Sequence, residues 1–347
     1  MKLFNWRSLF VLSLLLFPGV ALNAQPKSSS SGYHVIKQVK LGGEGGWDYL
    51  TFDAKSNRLY ISRSTHVMVV DADSGVVVGD IPNTPGVHGI AIVSDLNKGF
   101  TSNGRDSTVT VFDLKTLKVL KQIPVGKNPD AIIYDPASKR VFSFNGASSD
   151  TTAIDPQTET VAGTIALEGR PEFAVSDSGG HIFVNLEDKS QVVELDTRKL
   201  AVLNRWSLAP GEEPSGLAFD RKHKRLFSVC SNKLMTVMNA ETGKIVTTVA
   251  IGNGPDAAGF DPETDLAFSS NGEGTLTVVH EDSPEKFSVV ENVPTQRGAR
   301  TMTLDPKTHR VFLVTAEFGA TPAPTPERPR PRPSIVPGSF TLLIVGK

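Results

Sequence analysis

One unit of about forty residues recurs seven times along this chain, and that recurrence leaves few folds open. A small or apolar residue followed by an aromatic one appears as Leu59-Tyr60, Gly99-Phe100, Val141-Phe142, Ile182-Phe183, Leu226-Phe227, Ala267-Phe268 and Val311-Phe312. The aromatic positions are 40, 42, 41, 44, 41 and 44 residues apart. About eleven residues later an apolar residue precedes Asp or a substitute for it: Val70-Asp71, Phe112-Asp113, Ile154-Asp155, Leu195-Asp196, Met238-Asn239 and Val279-His280. Two markers keeping one register define a tandem array. The length of 347 residues alone would have suggested two or three separate domains.

Each unit reads as four short strands. In the third, Ala131 to Tyr134, Arg140 to Asn145, a run ending at Ile154-Asp155 and Val161 to Leu167 are separated by polar turns. The turn Asp135-Pro136-Ala137-Ser138 has Pro to preset φ and Asp to accept from the following amides, and Asp261-Pro262 and Asp305-Pro306 repeat that chemistry. The chain has no amphipathic run of helical period, which a helical solenoid requires. The expected fold is therefore all-β: a seven-bladed β-propeller with four antiparallel strands per blade. The seventh unit lacks its last strand, since the chain stops after Thr341 to Val345. Tyr33 to Leu41 has no unit of its own and matches the fourth-strand segment Lys118 to Val125. The N-terminal strand is expected to close the last blade, making residues 33–347 one domain without an open sheet edge.

Strings such as Ile123-Pro124-Val125-Gly126-Lys127-Asn128-Pro129-Asp130-Ala131, Phe144-Asn145-Gly146 and Ser270-Asn271-Gly272 carry a further likeness. So does Ala250-Ile251-Gly252-Asn253-Gly254-Pro255-Asp256. The units resemble the YVTN-type, YncE-like seven-bladed propellers exported by bacteria. The resemblance covers residues 33–347 and implies a WD40-like ring that binds rather than catalyses. Asn185-Leu186-Glu187 in the fourth unit and His280 in the sixth depart from the pattern.

Residues 1–24 read as a secretory signal peptide. Lys2 and Arg7 form the positive end, Leu9 to Phe17 an apolar run, and Ala21 and Ala24 a small-residue cleavage region. The run is too short to span a bilayer. A periplasmic or secreted product follows, and loss of Lys2 and Arg7 takes the formal charge from −1 to −3. That balance gives no general attraction to nucleic acid. The single cysteine, Cys230, lies in a strand-like run and reads as a buried thiol. A monomer is the expected state.

Strand order places the loops that lead into the seven inner strands around one mouth of the channel. They carry Trp47 and Asp48, His88, Asp130, Glu172, Ser215, Asp256 and Arg300. Loops after the second strands share that face and carry Arg63 and His66, Asn103 and Arg105, Asn145, Asn185, Asn232, Asn271 and Glu317. Trp47, Asp48, His88, Asp130, Glu172, Asp256 and Arg300 are the candidate ligand-binding set. No catalytic residue and no cofactor is assigned. The alternative is a Ca²⁺ or Mg²⁺ ion on the carboxylates, serving a lactonase or lyase of the kind found on related propellers. Against both stands the reading that each carboxylate caps its own turn.

Gly252-Asn253-Gly254-Pro255-Asp256-Ala257 fits a dinucleotide-binding pattern, but a strand follows where a helix N-terminus is needed. Nucleotide P-loop, zinc-protease, redox CxxC and serine-hydrolase signatures are absent from the sequence. The largest departure from the repeat is a Pro/Arg-rich insertion at 318–339, with Pro alternating around Arg328, Arg330 and Arg332. Such a segment is extended, and the readings open to it are a solvated loop, a lid over the channel mouth or a partner-docking strip.

Overall fold

The two middle strands of each repeat are buried on both faces, so each must be sandwiched between neighbouring sheets. In the third repeat Arg140–Asn145 and Asp150–Asp155 are buried along their length apart from their ends, while the fourth strand, Thr160–Ala166, is mostly exposed. A ring of stacked sheets supplies that environment. In the computed structural model, which describes residues 1–3, 31–325, 329, 331 and 333–347, seven four-stranded antiparallel sheets form it. Residues 4–24 of the expected signal segment, and Arg328, Arg330 and Arg332, lie outside the described residues.

Blades 1 to 6 span residues 50–81, 87–124, 129–166, 171–207, 214–250 and 255–294. Blade 7 is built from Met302–Asp305, Arg310–Thr315 and Thr341–Gly346, with His34–Lys40 as its outer strand. His34 pairs with Gly346 and Lys40 with Thr341, so the N-terminal strand closes the ring as its sequence suggests. Tyr33 fastens this closure: its ring meets Phe268 of blade 6 edge-on at 5.3 Å, and its hydroxyl donates to the His309 carbonyl at 3.0 Å.

The core lies between blades rather than within them. Phe142, Phe144 and Ile165 of blade 3 pack on Ile182, Val184 and Leu195 of blade 4. Leu59, Ile61 and Val70 of blade 1 pack on Phe312, Leu342 and Ile344 of blade 7. Each such side chain contributes roughly 1.5–3 kcal/mol on burial, and it does so only when the next blade is in place. The second repeat marker also has a structural cause. In blades 1 to 6 the register between third and fourth strands slips at this position, as between Val69 and Val70 or Ala153 and Ile154. A bulge there increases the local twist that fans the blades.

The turn chemistry also follows the sequence. Asp135 accepts from the Ser138 amide at 2.9 Å and from its hydroxyl at 2.7 Å. Lys139, next in the turn, takes a left-handed φ of 55° before the second strand begins.

Arg63 corrects the sequence reading that placed it among the exposed loop residues. It is 1% exposed and sits where blades 7 and 1 meet. Its guanidinium lies 3.5 Å from the Phe340 ring centroid and donates to the carbonyls of Gly42, Glu44 and Gly45 at 3.3, 2.9 and 3.1 Å. Burial lowers its pKa to about 10, which leaves it charged at neutral pH. Arg63 therefore ties the loop after the closing strand to the first blade. Hydrogen bonds to charged groups are worth roughly 1.5–3 kcal/mol each. Arg63→Ala is thus expected to lower the thermal midpoint by about 5 °C or more. Arg63→Lys should not restore it, because a point charge cannot stack and fork to three carbonyls. Differential scanning calorimetry on the two variants checks this, and a midpoint for Arg63→Ala equal to wild type would refute the role.

Candidate functional site

The loops between one blade's outer strand and the next blade's inner strand are held by buried serines of the second strands. Ser62 accepts from the Asp48 amide at 3.0 Å and donates to the Tyr49 carbonyl at 3.1 Å. Ser102 accepts from the Gly89 amide at 2.8 Å and donates to the Asp130 carbonyl. Ser270 donates to the Arg300 carbonyl. Backbone anchoring of this kind leaves the intervening side chains free to point at the channel mouth.

At that mouth the charges alternate from blade to blade. Asp256 of blade 6 accepts from Arg300, whose other terminal nitrogen lies 3.7 Å from Asp48. Asp48 in turn lies 2.6 Å from His88 Nδ1, and the same nitrogen is 3.7 Å from Asp130. The arc Asp256, Arg300, Asp48, His88, Asp130 thus crosses five blades, with each cation between two carboxylates. Glu172 of blade 4 completes the rim, but it has no cation of its own in the arc.

This arrangement shifts the acids strongly. Asp256 is pushed up to about 7, chiefly by burial, with Arg300 pulling the other way and Asp48 adding to the rise. Asp130 is raised by burial against the pull of His88, and the charges of Asp48 and Asp256 raise it further. Glu172 is raised well above the ordinary carboxylate range by burial and then by Asp130, Glu187, Asp256 and Asp48. Burial alone would lower His88, but the Asp48 hydrogen bond and the Asp130 charge outweigh it, so its pKa is raised. The mouth therefore holds acids that keep protons at pH values where exposed carboxylates have lost them.

Tyr49 forms the floor of the mouth. Its hydroxyl donates to the Glu172 carbonyl at 2.8 Å, and its ring stacks on Phe173 at 5.4 Å. Burial, then the charges of Asp130 and Glu172, raise its pKa well above the usual tyrosine value. Below it the channel is a cavity of about 410 Å³, lined by Ile90, Ile132, Phe173, Ala258 and Met302 among others. Sequence reasoning missed Tyr49 and Phe173. The signal was present: the equivalent positions in the other blades are Gly89, Ala131, Gly216, Ala257 and Thr301, all small. Two stacked rings among small residues mark where the channel is narrowed by side chains.

Other expected residues fall elsewhere. Trp47 does not join the carboxylates; it packs on Phe318 and Phe340 at 6.1 and 5.4 Å. With Arg297, Arg300, Phe318, Pro333 and Ile335 it encloses a second cavity of about 330 Å³ beside the mouth. The base of the 318–339 insertion is thus folded over this side, with Gly319 donating to the Ser334 carbonyl at 2.9 Å. Asn103, Asn145 and Asn271 are buried and bind threonines of their own blades, as Asn103 does with Thr108 and Thr110 at 3.0 and 2.8 Å. They are scaffold. The glycine after Asn103 has a local purpose, since a Cβ on Gly104 would lie 2.8 Å from His88 Nε2. His66 contacts Thr65 and Asp80. Cys230 is buried and its thiol is raised to about 11 by burial, as a structural cysteine should be.

The Asp48, His88 and Asp130 ligand atoms lie within 4.8 Å of one another, close enough to share a metal ion. An imidazole with two carboxylates suits a divalent transition metal better than Ca²⁺ or Mg²⁺, which prefer oxygen alone.

No protein-family model matches the sequence, and no curated protein matches it either. Solved structures do share the fold. A chain of Kuenenia stuttgartiensis hydrazine synthase aligns with a TM-score of 0.70 at 17% identity, covering 78% of this chain and 92% of that one. U3-55K aligns at 0.73 and 8% identity over 90% and 98%. The WD40 repeats of RRP9 align at 0.74 and 8% over 91% and 98%. Identities this low support the β-propeller fold and nothing about chemistry.

The raised Glu172 has a signed consequence for stability. Its folded-state pKa exceeds its unfolded value, so its contribution is fully present in acid and is lost as pH rises through the folded value. Glu172→Gln has no proton to lose. The variant should match wild type near about pH 4 and melt progressively higher than wild type toward about pH 8. Thermal melts across that range decide it; parallel pH profiles for the two proteins would mean that Glu172 is an ordinary solvated carboxylate.

Proposed function

We propose that this chain is an exported, monomeric binding propeller whose channel mouth takes a small cationic ligand. The observation that carries the reading is the convergence of Asp48, Asp130, Glu172 and Asp256 on one rim, where the ion pairs among the described residues bring in Arg300 and His88. Asp130, Glu172 and Asp256, whose pKa values are raised by burial and neighbouring carboxylates, are primed to exchange protons for a bound cation. The apolar cavity under Trp47 and Phe318, which shares Arg300 with the rim, offers room for an uncharged portion of the ligand. The base of the Pro/Arg-rich insertion, at Phe318 and Pro333 to Ile335, borders this side, and its Arg328, Arg330 and Arg332 would supply the basic part of a docking strip for a partner. Among the described residues no helix is long and apolar enough to cross a membrane.

A second reading is supported by the Asp48, His88 and Asp130 cluster. A divalent ion there could polarise a lactone carbonyl, as a hydrolase or lyase requires.

Proton exchange sets the expected pH dependence. Affinity for a cation should rise between about pH 5.5 and about pH 8 as the displaced protons become easier to remove, and binding should release protons. Calorimetry with 1,4-diaminobutane, choline, Mn²⁺ and Zn²⁺ in buffers of different ionisation enthalpy tests this. Asp130→Asn combined with Glu172→Gln should weaken binding by roughly tenfold or more, on the scale of one lost charge contact. An organic cation that binds without metal supports the first reading, and metal binding that Asp130→Asn abolishes, with no organic cation bound, favours the second. No heat and no rise in thermal midpoint with any probe would refute both.

A further inference from the structure

The structure assigns a second, unrelated site to the opposite face: we infer that Asp220, His223 and Glu281 hold a divalent transition-metal ion that staples blade 5 to blade 6. Asp220 ends the inner strand Pro214–Asp220, His223 lies in the following turn, and Glu281 comes from the long third strand Thr275–Ser283 of the next blade. His223 Nδ1 is 2.9 Å from Asp220 Oδ2 and 2.8 Å from Glu281 Oε1, and the three ligand atoms lie within 4.8 Å of one another. Donors about 2.1 Å from a shared ion stand about 3.0–3.4 Å apart at octahedral or tetrahedral angles. The spacing found is close to the edges of such a polyhedron.

Glu281 supplies the independent observation. Its residue is 5% exposed and both carboxylate oxygens are buried without a hydrogen-bond partner. His223 Nδ1 is likewise without one despite the short distances, so the ring nitrogen does not aim an N–H along either contact. Asp220 is already engaged by the amides of Lys222 and His223 at 2.9 Å each. A proton on the imidazole gives Glu281 an ion pair at 2.8 Å but no aligned hydrogen bond, and it leaves the second oxygen without a partner, whereas an ion at the point where the three donors converge engages all three residues. Burying a bare carboxylate is costly, and the rest of the pocket offers little to offset it. Arg225, nearby, is committed to Glu285 and to the Pro284 and His223 carbonyls. Asp265 adds negative charge near Glu281.

The repeat itself shows that these residues are departures. At the turn position filled by His223, the equivalent residues Ser56, Ser138, Thr264 and Thr308 donate hydroxyls to Asp53, Asp135, Asp261 and Asp305 at 2.6, 2.7, 2.8 and 2.5 Å. At the position filled by Glu281, other blades have Ala72, Leu114, Pro156, Thr197 and Ala240. Two substitutions from two different blades, each breaking its own repeat, meet in space. One nitrogen and two carboxylates suit Zn²⁺ or Mn²⁺. The partly exposed His223 side leaves an approach for the ion and room for water as further ligand.

The test uses the Asp130→Asn protein, so that metal at the channel mouth is not counted. After stripping with EDTA, titration calorimetry with Zn²⁺ and with Mn²⁺ should show one equivalent bound, and the thermal midpoint should rise with added ion by mass action. His223→Ser restores the hydroxyl used in other blades, and Glu281→Ala restores the residue found in blades 1 and 5. Each should fold, as its circular dichroism will report, and each should weaken binding at least 100-fold. Co²⁺ bound to the Asp130→Asn protein should give visible d–d absorption that disappears in both variants. If neither ion binds, or if binding and the Co²⁺ spectrum survive His223→Ser and Glu281→Ala, the assignment is wrong.

Discussion

A blade of this protein cannot bury its own middle strands. Phe142 and Phe144 of blade 3 are covered by residues of blade 4, and Leu59 and Ile61 of blade 1 by residues of blade 7. Every blade thus depends on two neighbours, and an open array would leave one face of its first and last members wet. Closure is the constraint from which the other features follow. It explains why the N-terminal strand crosses back to pair with Thr341–Gly346, and why a charged residue, Arg63, is tolerated at the seam. The guanidinium there has the carbonyls and aromatic face it needs, and it locks together parts of the chain that no local interaction joins.

Closure also creates the site. A ring of inner strands brings one loop from each blade to a common rim, so residues some forty positions apart become neighbours. The serines of the second strands fix the backbone of those loops, and the side chains are left to satisfy one another. They do so by alternation: Asp256, Arg300, Asp48, His88 and Asp130 each meet an opposite charge from the next blade. Glu172 stands outside that pattern, and burial drives it toward its protonated form. The electrostatic character of the mouth is thus set by the ring geometry as much as by the residues.

The fold was legible because every repeat solves the same physical problem with the same residues. Asp at the turn, an aromatic on the second strand and a bulge near the third-strand marker recur, and periodicity exposes them. Which loop residues reach the mouth followed from strand order, and Asp48, His88, Asp130, Asp256 and Arg300 do meet there. What periodicity could not reveal is the direction of a side chain. Asn103, Asn145 and Asn271 sit on the same loops as exposed residues, yet turn inward to bind threonine hydroxyls. Arg63 reads as a surface charge until the loop at residues 42–45 is seen to wrap it. Trp47 adjoins Asp48 in sequence but faces the apolar seam with Phe340. Contacts between blade 7 and the N-terminal loop have no counterpart elsewhere in the repeat, so no internal comparison could disclose them.

In a repeat protein, the positions that break the pattern carry more information than those that keep it. Residues shared by all blades are explained by packing, turns and hydrogen bonding that each blade needs. Tyr49 and Phe173 interrupt a series of small residues, and their rings stack on each other at the cavity. His223 replaces a hydroxyl that caps the turn in other blades, and Glu281 replaces an uncharged residue; they face each other across a blade boundary. A random substitution at one of these places would be expected to cost stability and find no compensation, since its neighbours were selected for the original residue. Paired departures that meet in space are different: each supplies what the other lacks. The two faces of this propeller therefore differ in kind. At the mouth an arc of opposite charges partly neutralises itself, with four carboxyls against two cations, whereas at the blade 5 and blade 6 boundary two carboxylates and an imidazole converge without an aligned hydrogen bond between them.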